Sequence, residues 1–129
     1  MATFTRECLS PGGTQGSGLG IVVNGTTETD IHECNTTTTT IYHEVHLWAT
    51  NIGNSAHTLI LLVGGDDGAS AAVAQQKNYV IQPNETLYVS PGFTLRGAST
   101  NVEIQAKLVS NTNNEVIIHG HVNVIDQSS

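Results

Sequence analysis

The sequence predicts an all-β protein: an antiparallel β-sandwich or jelly roll of about eight strands with a flexible N-terminal arm. Three observations carry this. The 129 residues include 17 Thr, 12 Val and 10 Ile beside 13 Gly and 11 Asn. β-Branched residues suit a pleated, half-buried surface, while Gly and Asn make turns. Short runs of strand texture recur between clusters of turn residues. No segment sustains a helical apolar period long enough for a packed helix. A chain of this length is expected to form one domain, here residues 19–129, with residues 1–18 as the arm.

The elements follow in order. Residues 1–18 end in SPGGTQGSG, which has little to bury and is expected to be mobile. GLGIVV and TTETDIH flank Asn24-Gly25, a dipeptide that tolerates the positive φ angles of a hairpin turn, so a hairpin is predicted there. The threonine run 36–40 is expected to be strand and to lead into IYHEVHLWAT. NIGNSA then turns the chain into HTLILLV, an unbroken apolar run that must be covered on both faces. GGDDGAS is a loop, and AAVAQQKNYVI is the one place for a short helix, although its end, NYVI, has strand texture. Gln82-Pro83-Asn84-Glu85 and Ser90-Pro91-Gly92 are predicted turns on either side of TLYVS. In NVEIQAKLVS, Val102, Ile104, Ala106 and Leu108 take one face, and Glu103, Gln105 and Lys107 the other. EVIIHGHVNVI closes the domain.

Charge excludes several partners. With 4 Lys and Arg against 11 Asp and Glu, the net charge is -7. So few cations cannot form the stripe that a phosphate backbone or an anionic membrane requires, so neither nucleic acid nor membrane is expected as a partner. No apolar run is long enough to span a bilayer. MATFTRECLSPGG has no apolar signal-peptide core, so synthesis in a cytoplasm is expected. Cys8 and Cys34 are then expected as thiols, with their pairing left open.

Six histidines invite a metal hypothesis. His43 and His46 lie three apart in YHEVH and point to opposite faces of a strand, so they cannot share an ion. His119 and His121 in HGH share a face and could both reach one, with Glu44, His57 or His32 as a third ligand. The simpler assignment is half-buried histidines with one hydrogen bond each, and no metal or cofactor is assigned. Asp66-Asp67 lacks the alternating oxygens of a calcium loop. Gly16, Gly18 and Gly20 miss the spacing of a phosphate cradle. No nucleophile motif is present, so no catalytic residue is assigned and no enzyme is expected. Tyr42 and Trp48 share a face with Glu44 and His46 and are the candidate contacts for a partner protein or a sugar. The competing assignment places Trp48 in the core.

From Thr39 to Asp126 the order of features carries a resemblance. These are a strand ending in ATN, the apolar return strand HTLILLV, PNETLYV reaching a PG turn, and a final GHVNV strand. Together they resemble small β-sandwich structural proteins of tailed-bacteriophage virions. The resemblance implies a capsid decoration (cement) protein that binds the outer capsid surface and stabilises the shell. It implies a homo-oligomer, with a trimer favoured, contacting the major capsid protein or other virion proteins. Such a protein is made in the host bacterial cytoplasm and located on the virion, without catalysis. The arm would then reach across a neighbouring capsomer, and its deletion would spare the fold. PNETLYVSPG also resembles the Pro-Gly stretch of cupin jelly rolls, although HGH lies nearly at the C-terminus and lacks the trailing Glu of a cupin metal motif. The alternatives are a glycan-binding module of a phage fibre or tail using Tyr42 and Trp48, and a cupin-like metalloprotein centred on His119 and His121.

Overall fold

A computed structural model describes residues 2–13, 15–66, 75–99 and 102–128. Nine strands run through them: β1 (Thr3–Cys8), β2 (Ile21–Val23), β3 (Thr29–Cys34), β4 (Ile41–Asn51), β5 (His57–Asp66), β6 (Gln75–Ile81), β7 (Thr86–Arg96), β8 (Val102–Leu108) and β9 (Val116–Asp126). Sheet A has the order β1-β9-β4-β7, with β2 also paired to β9, and sheet B the order β3-β8-β5-β6. The pairs β5·β6, β4·β7, β3·β8 and β2·β9 nest around the β5–β6 connection and alternate between the two sheets. The chain is one long antiparallel hairpin rolled on itself, which is a jelly roll.

Alternation builds the core. Along β4, Val45, Leu47 and Ala49 are fully buried, while Glu44, His46, Trp48 and Thr50 take the outward positions. Val116, Ile118 and Val122 of β9 and Leu59 and Leu61 of β5 join the same core. Each fully buried Leu or Ile contributes on the order of 2 kcal/mol by leaving water. Asn51 is buried at the end of β4 with its polar atoms satisfied. Its amide donates to Ser55 O at 2.8 Å and Ile81 O at 2.9 Å, and its side-chain oxygen accepts the Gly53 N–H at 2.9 Å.

Several expectations are corrected. The segment expected as a free arm is tied down in its first part, because Thr3–Cys8 forms β1 and pairs with β9 from His121 to Asp126. An edge strand needs backbone partners more than an apolar face, and TFTREC offers β-branched residues for that role. Leu9 and Ser10 are then buried as the chain crosses toward β3, so deleting 1–18 would strip one edge of β9. Asn24-Gly25 turns, with Gly25 at φ 59, but it joins strands of different sheets rather than a hairpin. The reason is the rolling: β2 pairs with β9 and β3 with β8, and Gly25 bonds to Thr112 and Leu108 between those partners.

The threonine run is a loop. Thr36 Oγ1 accepts the Thr38 N–H at 3.1 Å, the kind of local bond that competes with a ladder. Ser90-Pro91-Gly92 is no turn but a bulged stretch inside the single strand β7. Pro91 is tolerated because β7 is an edge strand, and Ser90 Oγ patches the distortion by donating to Val45 O at 2.6 Å. Glu103 and Gln105 are buried despite facing away from the core, with the Gln105 amide donating to Asp30 Oδ1 at 2.6 Å. Gln75–Ile81 is strand throughout; the earlier part of the helix expectation, residues 71–74, and Asp67 lie outside the described residues. The Pro83-Asn84 turn forms as predicted, with Asn84 at φ 62.

At Gly120 β9 lies so near β4 that a Cβ would run into the His46 carbonyl oxygen and Leu47. Gly64 has open space around its Cβ position but φ 86. Gly120→Ala is expected to cost about 3 kcal/mol by overpacking, and Gly64→Ala about 1 kcal/mol by backbone strain. Urea unfolding of the two variants measures the difference, and equal costs would contradict the close β4–β9 approach.

Candidate functional site

The outer face of sheet A collects most of the chemically distinctive side chains. Strand register lays them in rows across the sheet: Phe4, Ile125, Tyr42 and Arg96; then Arg6, Asn123, Glu44 and Thr94; then Cys8, His121, His46 and Pro91; then His119, Trp48 and Tyr88. Four rings meet in the last two rows. Trp48 and Tyr88 stack at 4.8 Å between centroids and 16°, and His46 and His121 at 5.1 Å and 19°. Trp48 also lies 5.8 Å from His121. Tyr88 is 47% exposed and Phe4 72% exposed, so the face is open to a partner.

His46 is the centre of this cluster. Its Nε2–H donates to Glu44 Oε1 at 2.8 Å, which leaves Nδ1 to accept the Tyr88 O–H. Glu44 Oε1 also accepts the Asn123 amide at 3.1 Å. Those bonds, His46 first and Asn123 second, hold the Glu44 carboxyl below the usual carboxylate range and keep it ionised. His121 is pushed below the ordinary histidine value by burial first, then by Arg6 and His46, with Glu44 opposing. The arrangement is a carboxylate, an imidazole and a phenol in series, beside a flat aromatic platform. It can stack on a planar or apolar group and hydrogen-bond at its rim.

The structure separates residues that the sequence grouped. Tyr42 and Trp48 do share the outer face, but they are six positions apart on β4, about 20 Å. Tyr42 lies under the Arg96 guanidinium at 5.8 Å, whereas Trp48 belongs to the ring cluster. Trp48 is therefore half-buried on the outside, not core. His119 and His121 share a face as their spacing requires, but His121 joins His46 while His119 sits beside Gly20 at the sheet edge. Among the described residues no three His, Cys, Asp or Glu side chains are grouped to hold a metal ion. His43 and His46 point to opposite faces, as strand geometry demands, and His43 meets His32 in the interior. Cys8 and Cys34 are both free, and burial pushes the Cys34 thiol up to about 11.

Two groupings were invisible in the sequence. Tyr88 enters the cluster only because β7 pairs with β4. His57, 6% exposed, binds Glu115 Oε1 through Nε2 at 2.7 Å, and its Nδ1 lies 3.4 Å from Ser110 Oγ. This carboxylate–imidazole–hydroxyl series ties the start of β5 to the β8–β9 connection. One cavity, of about 200 Å³, is lined by Leu9, Gly18, Leu19, Ile21 and Gly120 among others; a larger open one lies near Thr39, Val63 and Arg96.

Comparison with solved structures places this architecture. The chain is similar to the subunit of Bacillus endospore appendages, described as a family of disulfide-linked pili, at TM-score 0.54 and 12% identity, over 99% of this chain and 89% of that one. It is also similar to a chain of the T13 particle of infectious bursal disease virus, at TM-score 0.57 and 7% identity, over 97% of this chain but 31% of that one. A chain of the Gx strain of the same virus gives TM-score 0.54 and 7% identity, over 100% of this chain and 32% of that one. The likeness is one of fold. No protein-family model matches the chain, and no curated protein matches it.

The charge order on this face is testable by proton NMR of the His121 ring. Its titration midpoint is expected below the ordinary value of about 6.5, so the ring is neutral at pH 7. Arg6→Gln removes a repelling charge and should raise the midpoint, while Glu44→Gln removes an attracting one and should lower it. A midpoint unmoved by both substitutions would contradict the arrangement.

Proposed function

We propose that the chain is a structural protein of a bacteriophage virion, a capsid decoration or cement protein that docks on the shell through the outer face of sheet A. The observation that carries this is the placement of the ring cluster: Trp48, Tyr88, His46 and His121 lie on an open sheet face, suited to a macromolecular surface rather than a small enclosed substrate. Trp, Tyr and Arg are the residues that most often dominate the energy of protein interfaces, and this face carries each of them. The jelly roll, shared in fold with chains of a virus particle, supports the same reading.

The mechanism is mass action. A protein that binds only the assembled shell stabilises it by RT ln(1 + [L]/Kd), about 2.7 kcal/mol per site at a hundredfold excess over Kd. In this reading the working unit is a homo-oligomer, a trimer, made in the host bacterial cytoplasm and carried on the virion against the major capsid protein. It performs no catalysis and needs no cofactor. The net charge of -7 argues against contact with packaged nucleic acid or a membrane.

One observation favours a second reading. Cys8 is a free, half-buried thiol at the end of edge strand β1 on the same outer face, and the fold matches a pilus subunit from end to end. The chain would then be a fibre subunit cross-linked to one neighbour by a disulfide at Cys8, formed as an external oxidant takes up two electrons.

Native mass spectrometry of the purified protein, followed by co-sedimentation with shells of the virion encoded alongside it, separates the readings. A metal-free trimer that pellets with shells, and loses at least about tenfold in affinity on Trp48→Ala or Tyr88→Ala with unchanged circular dichroism, supports decoration. A disulfide-linked dimer on a non-reducing gel that vanishes in Cys8→Ser supports the fibre subunit. Binding to a glycan array without binding to shells would replace both readings with the glycan-binding module.

A further inference from the structure

The interior holds a second pair of histidines, unrelated to the outer face. His32 of β3 and His43 of β4 meet between the sheets, with Nε2 and Nδ1 2.8 Å apart and ring centroids 5.0 Å apart. His32 is 2% exposed. Its Nδ1 accepts the Ser10 N–H at 3.0 Å. That bond fixes the direction of the whole chain of hydrogen bonds. Nδ1 of His32 is an acceptor, so its proton lies on Nε2 and is donated to His43 Nδ1, and the His43 proton lies on Nε2. A further proton on His32 Nδ1 would face the Ser10 N–H, and one on His43 Nδ1 would face the His32 N–H. The arrangement is closed only while both rings are neutral.

Ser10 is the joint by which the N-terminal segment grips sheet B. Besides its bond to His32, its carbonyl accepts the Glu33 N–H at 3.1 Å and the Gly13 N–H at 3.1 Å. Ahead of it, β1 is held by its ladder to β9, and its first four residues are exposed. We propose that the His32–His43 pair is an acid-operated latch: a proton entering the pair breaks the Ser10–His32 bond and releases residues 3–13, uncovering the edge of β9 from His121 to Asp126. A bare sheet edge is a template for an added strand, so acid would expose a site for strand pairing.

The surroundings support this direction. Burial pushes His43 below the ordinary histidine value, and the Glu7 carboxylate of β1 opposes it by favouring protonation. Cys34, on the same strand as His32, keeps its thiol neutral, and the ladder neighbours Ile104 of β8, Leu95 of β7 and Val124 of β9 are apolar. Burial first, and His43 second, hold His32 at about 3, against an ordinary value of 6.5. The closed form therefore binds fewer protons than the open form between those values. Closure is favoured above that window and is lost as pH falls through it.

Hydrogen exchange on the full chain, read by mass spectrometry and corrected for the intrinsic pH dependence, tests the latch. Between pH 7 and pH 5 the two His32 values imply that opening of residues 3–8 rises about 25-fold. Strands β4, β5 and β8 should stay protected. In His32→Gln, whose amide can accept from Ser10 and donate to His43 but cannot take a proton, the rise should shrink to within about twofold. Should that variant fail to fold, Glu7→Gln gives a second test by sign: the carboxylate favours protonated His43 only in the closed form, so its removal should make the opening of residues 3–8 at pH 5 larger. Unchanged protection of residues 3–8 at pH 5 would overturn the proposal. So would exchange of β4, β5 and β8 together with β1, an undiminished rise in His32→Gln, or an opening at pH 5 that is no larger in Glu7→Gln.

Discussion

The pairing of β4 with β9 is the constraint on which the rest of the molecule depends. Ile41 to Asn51 meets Asp126 to Val116 without a slip, across a long stretch of intervening chain. That one register sets Glu44 opposite Asn123, His46 opposite His121 and Trp48 opposite His119 on the outside. It sets Val45 against Val122 and Ala49 against Ile118 on the inside. Because side chains alternate, a slip of one residue would exchange the two sets and bury the charged face. Gly120 permits the close crossing, since no side chain fits between its Cα and the His46 carbonyl. The flanking strands then fall into place, β7 on one side with its bulges and the broken edge β1 and β2 on the other.

The two histidine pairs show how one chemistry takes two characters from its surroundings. His46 lies beside Glu44, which is itself partly in water, and the two are joined at 2.8 Å on the open face. His32 is enclosed by the sandwich, His43 is half-buried against it, and their directed partners accommodate only the neutral form. Burial penalises a charge by the water it removes, and that penalty falls on the inner pair. The outer pair suits a contact surface, and the inner pair suits a fastening.

Both proposals converge on sheet A. Its outer face offers rings and a carboxylate to a partner, and its β1 edge covers the strand that supplies His121. A partner seated on the face and a change at the edge would therefore act on the same strand, β9. Sheet B is the structural half: β5 and β8 give the core Leu59, Leu61, Ile104 and Ala106, and His57 with Glu115 ties its end to the β8–β9 connection.

Much of the fold was legible in the residues themselves. Period-two alternation in IYHEVHLWAT assigned the faces of β4 correctly, placing Tyr42, Glu44, His46 and Trp48 together and His43 opposite. The composition dictated strands, and the Pro83-Asn84 turn was local chemistry that local sequence could reveal. What failed depended on distant partners. Asn24-Gly25 has hairpin chemistry, but rolling of the chain gives β2 and β3 other neighbours. The segment TFTREC has no apolar stripe, and only the waiting edge of β9 makes it a strand. Ser90-Pro91-Gly92 has turn chemistry that an edge position converts into a bulge. The ring cluster draws on three strands, so no single segment could announce that Tyr88 and His121 join Trp48 and His46. By itself the sequence determined the all-β class and which face each side chain of a strand takes, because backbone geometry imposes that period locally. Only the tertiary structure decided which strands are neighbours, because pairing is settled by the burial of the whole core and not by any one segment.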